Sequence, residues 1–240
     1  MKHVFESDFL EVYANRLNIS APFGVRAKAL LSDLGIEEYQ VSQCYQSDIP
    51  PWLVLSPEVV LSLHKYKKEN TSNLVFTQAF RELLSARETC DIIYTDGSRS
   101  EDGTGCAFIT ASREYRFCLP SVASVYTAEL TALFKALNIV CSGTRRLVIC
   151  SDSLSSLQAI KDVYPKHVLV RDIRCAIHRL QVQNIQVVLL WVPGHAGIPG
   201  NELAYRSAGS AHHELPPFNA MVTGSDDIAN GEGEVKTSLG

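Results

Sequence analysis

Asp96, Glu129 and Asp152 are the side chains whose types and settings point to shared chemistry. Asp96 follows a short β-branched run, Ile92 to Thr95, and Asp152 follows an apolar run ending at Cys150. Glu129 falls in the first turn of a helix expected over Thr127 to Val140. Ends of neighbouring strands lie about 5 Å apart, so two aspartates there and a glutamate on a covering helix can meet in one small volume. Three such groups repel one another and resist ionisation when buried. A divalent cation removes both problems, and an all-oxygen donor set selects magnesium or manganese over zinc. Each residue also has a plainer reading. Asp96-Gly97-Ser98 makes an ordinary turn, Glu129 suits a helix start, and Asp152-Ser153 suits a helix cap.

The segment Val192-Pro193-Gly194-His195-Ala196-Gly197-Ile198-Pro199-Gly200-Asn201-Glu202 adds a histidine in a glycine-rich loop before a last helix. With it, Asp96-Gly97-Ser98, Glu129, Asp152-Ser153 and His195 together resemble the ribonuclease H family, over about half of the chain. The resemblance implies an α/β, ribonuclease H-like fold: a five-stranded mixed sheet flanked by helices. It implies endonucleolytic hydrolysis of the RNA strand of an RNA–DNA hybrid with two Mg2+ or Mn2+ ions, leaving a 3′-hydroxyl and a 5′-phosphate. Asp96 would bridge both ions, and Glu129 and Asp152 would hold one. His195 would assist proton movement or product release, imidazole being the side chain that changes charge near neutral pH. Gly97, Ser98 and Asn201 would meet substrate, where 2′-hydroxyls tell RNA from DNA.

One position departs from the family pattern Gly-Asn-Glu-x-Ala-Asp. Here it reads Gly200-Asn201-Glu202-Leu203-Ala204-Tyr205, with Tyr205 in place of a fourth carboxylate. A neutral phenol is a poor magnesium ligand. The resemblance therefore leaves an alternative: a weakened or inactive relic that still binds nucleic acid.

The elements that must position these residues divide the chain in three. Residues 1–90 read as a small, mainly helical segment, with helical spacing from Phe9 to Leu17 and from Val25 to Leu34. It also holds a Pro50-Pro51-Trp52 turn, a basic run His64-Lys65-Tyr66-Lys67-Lys68 and an amphipathic helix over Phe76 to Ala86. Residues 45–90 resemble the connecting region of non-LTR retrotransposon polyproteins, although no polymerase Tyr-x-Asp-Asp occurs. The chain is accordingly expected to be a piece of a reverse transcriptase polyprotein. Residues 91–212 are the expected ribonuclease H domain: a strand, a hairpin, then alternating helix and strand, closing a core without residues 1–90. Residues 213–240 are polar and expected to be disordered.

Composition sets outer limits. The 240 residues carry a net charge of -4, so any nucleic-acid surface must be a local basic face. Seven cysteines without C-x-x-C spacing argue against a disulfide framework or a zinc site. With no apolar run of transmembrane length, the expectation is an intracellular monomer, in cytoplasm or nucleus, without a membrane partner.

Overall fold

The computed structural model describes residues 26, 49–50, 53–87, 89–139 and 145–215. The expected helices before residue 45, the Pro51-Trp52 part of the turn and the tail from Pro216 lie outside these. Compactness divides the chain into Met1–Cys44 and Tyr45–Gly240, and the sheet and its helices belong to the second unit.

Six strands form one mixed sheet: β1 (Glu58–Val60), β2 (Asp91–Arg99), β3 (Thr104–Ile109), β4 (Glu114–Leu119), β5 (Arg146–Ser151) and β6 (Gln186–Trp191). Their order is β1-β6-β5-β2-β3-β4. β1, β6, β5 and β2 run parallel, and β2, β3 and β4 form an antiparallel meander. Among the described residues of this unit the α-helices are α1 (Asn73–Ser85), α2 (Val125–Asn138), α3 (Leu154–Lys161), α4 (Val168–Val182) and α5 (Pro199–Glu214). All five expected strands are present. The sixth, β1, comes from the segment before residue 91 and pairs Glu58 with Val188.

The central strands are apolar without a break because both faces of the sheet are covered. Along β5, Leu147 and Ile149 face a core built with Leu130, Leu133 and Leu137 of α2 and Ile173 and Ile177 of α4. The alternate residues Val148 and Cys150 face a second cluster with Val188, Leu190, Leu63 and Phe80. Ser124 caps α2, its hydroxyl accepting from the Thr127 backbone N–H at 3.1 Å. α5 packs across β2, β3 and β4. Gly105 permits that approach: a Cβ there would stand 2.3 Å from the Ala208 carbonyl oxygen.

Two boundaries differ from expectation in ways that matter for the site. β2 does not end at Thr95 but continues to Arg99, because β3 keeps pairing with it, Asp96 opposite Ala107. α2 starts at Val125, so Glu129 lies in its second turn.

The second core face is shared between residues 91–212 and the segment before them, through the buried side chains of Leu63 and Phe80. Phe76 is also buried. Burying a large apolar side chain contributes about 1.5–3 kcal/mol. A fragment beginning at residue 91 is therefore expected to be less stable than one beginning at residue 53, by on the order of 5 kcal/mol for three such side chains. Denaturant melts of the two fragments check this; equal stabilities would show that residues 91–212 close their own core.

Candidate metal centre

The parallel ladder between β2 and β5 ends at the pair Thr95 and Ser151. Asp96 is the next residue on β2, and Asp152 is the first residue after β5. β5 turns away there into α3, while β2 runs on beside β3. The two aspartates therefore share the point where the parallel half of the sheet gives way to the antiparallel half. Gly97 brings in the third group. Having no side chain, it lets the α2 backbone rest on β2, where a Cβ would lie 2.4 Å from the Glu129 backbone nitrogen.

Carboxylate oxygens of Asp96, Glu129 and Asp152 lie within 4.8 Å of one another. Asp96 is 2% exposed and Glu129 8%. Asp96 Oδ2 and Glu129 Oε2 are buried without a hydrogen-bond partner among the described residues. Burial first, then the charges of Asp152 and Glu202, pushes the Asp96 carboxyl up to about 8. Burial followed by Asp96 and Asp152 holds Glu129 well above the usual carboxylate range, and a hydrogen bond from the Gly97 backbone opposes this. Asp152 is raised by burial, against the Asn201 hydrogen bond and the positive fields of His195 and Lys68. Buried acceptor oxygens that lack donors and repel one another fit a hard divalent cation.

Two side chains hold Asp152. The Asn201 amide donates to its Oδ2 at 3.4 Å. The Trp191 indole N–H donates to its backbone carbonyl at 3.0 Å. Asn201, expected at the substrate, is 2% exposed and sits behind Asp152. Sequence reasoning misses Trp191; its place at the end of β6, just before Val192-Pro193-Gly194, is the signal that could have found it. Gly194 also touches Asp152, since a Cβ there would be 2.6 Å from Oδ2.

His195 lies at the rim, with its side chain 57% exposed. Its φ of 55 and that of Gly197, 76, mark a tight loop. Glu202 braces this loop: it accepts from the Gly197 backbone N–H at 3.3 Å, and its other oxygen is 3.8 Å from His195 Nδ1. The Tyr205 ring meets the His195 ring edge-on at 4.6 Å and is 44% exposed. Glu202 and Tyr205 thus attend the histidine loop, and neither belongs to the carboxylate group. Ser98 lies two residues beyond Asp96 on the same strand, half-buried near Gly209 of α5.

A second group with metal-ligand chemistry, Asp102, His212 and His213, joins the β2–β3 turn to the end of α5. Both groups could coordinate a divalent ion.

A mixed sheet of this order thus carries three carboxylates that could hold a metal ion where its parallel and antiparallel halves meet. Residues 88–213, more than half of the chain, match the family described as RNase H, and the chain belongs to that family. It is also similar to the Pol polyprotein of Ovine maedi visna related virus (strain South Africa), 29% identical over 109 residues. That stretch is 45% of this chain and 10% of the polyprotein, so the chain spans a small part of that relative. No helix among the described residues is long and apolar enough to cross a membrane.

The raised Asp96 carboxyl gives a pH test. Its folded-state value, about 8, lies above the unfolded one. Its contribution to stability is therefore full at low pH and lost as pH rises through about 8. With chelator present, the melting temperature should fall between about pH 4 and pH 8, and less steeply in Asp96→Asn. Magnesium should restore most stability at the high end, where Asp96 loses its proton. Parallel pH profiles for the two proteins would show that Asp96 is not the group responsible.

Proposed function

We propose that this protein cuts the RNA strand of RNA–DNA hybrids internally by hydrolysis, using two divalent ions, Mg2+ or Mn2+. The observation that carries this reading is the carboxylate trio, two of whose members are buried with partnerless oxygens, in a chain of the ribonuclease H family. Asp96, Glu129 and Asp152 would hold the ions. When bound, the ions supply Lewis-acid activation of water and neutralise charge developing on the phosphoryl oxygens.

The chain's own residues do the positioning. Asn201 and Trp191 fix Asp152 from its side chain and its backbone. Gly97 sets the depth of Glu129. His195, exposed and backed by Glu202, is placed to accept or release a proton at the site rim. Gly97 and Ser98 would meet a 2′-hydroxyl of the RNA strand. The likeness to a Pol polyprotein supports an origin in a retroelement, and residues 45–90 favour a non-LTR reverse transcriptase.

Tyr205 supports a second reading, a weakened or inactive nuclease that retains hybrid binding. It occupies the family's fourth carboxylate position and packs on His195 instead. Glu202 does not replace the missing ligand, because its oxygens serve Gly197 and His195.

Two measurements decide between these readings. In magnesium, a labelled hybrid should lose only its RNA strand, and Asp96→Asn should abolish cleavage while leaving the melting transition cooperative. Undiminished cleavage by that variant would remove the metal assignment. Tyr205→Asp should raise the cleavage rate, most clearly at low magnesium where the second ion binds poorly. Equal and high rates in parent and variant would show the fourth carboxylate to be dispensable here.

A further inference from the structure

The basic run before β2 does not lie out in solvent away from the site. It folds as two short 3-10 turns, Ser62–Lys65 and Lys68–Asn70, anchored by the buried Leu63. Tyr66 meets Phe76 of α1 edge-on at 6.0 Å, which ties the turns to that helix. Between this segment and the histidine loop is an open cleft of about 520 Å³. One wall is His64, Tyr66, Lys67 and Lys68, and the other includes Trp191 and Gly194. The two named residues of that second wall both touch Asp152: Trp191 bonds its carbonyl and Gly194 abuts its carboxylate. The cleft therefore opens beside Asp152, one member of the carboxylate trio.

Its chemistry is specific. Lys67 and Lys68 are exposed and form no ion pair among the described residues. Glu69 is the one acid among the described residues of the lining. Two ammonium groups with aromatic walls are what the backbone and bases of a nucleic acid strand require. The field of Lys68 reaches Asp152, so a phosphate held there lies within electrostatic range of the reaction centre. These cations lie outside the residues matched to the family, 88–213.

We propose that this cleft is a phosphate-binding extension of the active site, contributed by the segment before the family domain. Lys67 and Lys68 grip the sugar–phosphate backbone of the strand lying at Asp152, with Tyr66 and Trp191 flanking it. The proposal rests on the nuclease reading above. It gives an acidic chain, net charge -4, a local cationic guide toward a carboxylate-rich site that by itself repels phosphates.

The test uses the full chain carrying Asp96→Asn, so that the substrate survives. Binding of a short fluorescent RNA–DNA hybrid is followed by anisotropy across a sodium chloride series in magnesium. Replacing Lys67 and Lys68 together by Ala should weaken binding. It should also flatten the slope of log Kd against log salt by about 0.9 for each phosphate no longer neutralised. The pair Lys67→Arg and Lys68→Arg should keep the slope, and Glu69→Gln should tighten binding. Parent binding with an unchanged slope in the double Ala variant would overturn the cleft while leaving the nuclease reading intact. A parent that neither binds nor cleaves hybrid at any salt would bring down the nuclease reading, and the cleft with it.

Discussion

Like charges gathered out of water are the constraint on which this structure turns. Asp96, Glu129 and Asp152 come within 4.8 Å of one another, with two of the three almost wholly buried. Left alone they resist ionisation, and Asp96 keeps its proton up to about 8. A chain that gathers them must supply rigid supports, because each carboxylate would relax away from the others if its backbone allowed. The sheet supplies two supports where its parallel and antiparallel halves meet, and Gly97 supplies the third by admitting α2 to within backbone contact. Asn201, Trp191 and Gly194 then confine Asp152, the most exposed of the three. Repulsion is thus held against a packed core rather than released.

The same constraint divides the site into layers of different stiffness. The carboxylates rest on strands whose apolar residues are buried on both faces. His195 rests on a loop with two left-handed residues and a half-exposed ring. Among the described residues, Glu202, Tyr205 and the nearby Asn73 brace that loop. On the proposed reading, a rigid carboxylate set under a lightly braced imidazole would suit a reaction whose product must leave. It also explains why a tyrosine is tolerated at position 205: the ring has packing of its own against His195, so the fold does not depend on a carboxylate there.

Much of this is legible in the amino-acid sequence. The carboxylate trio, the histidine loop, the five family strands and the apolar faces of α2 and α4 follow from residue type and spacing. The points of difference share a cause. Asp-Gly-Ser is turn chemistry in isolation, so Asp96 is expected to end its strand, yet pairing with β3 overrides that local preference. β1 is three residues, Glu58-Val59-Val60, too short for any periodicity, and it exists only because β6 lies beside it. Trp191 and the two lysines carry only a faint signal in sequence, a place before the histidine loop and a basic run, because what they touch is set by contacts distant along the chain. Asn201 stands out by its motif, but the hydrogen bond from its amide to Asp152 is a tertiary contact that the motif does not announce.

The partnership of β1 with β6 has a consequence for how the chain is made. Synthesis runs from the N-terminus, so Glu58 leaves the ribosome long before its partner Val188. Throughout that interval Phe80 and Leu63 have no β6 to cover them. Contacts that span so much of the chain close late and slow the folding of the whole. The growing polypeptide carries exposed aromatic surface until β6 has been made, and that interval is when it is most open to aggregation and to capture by chaperones.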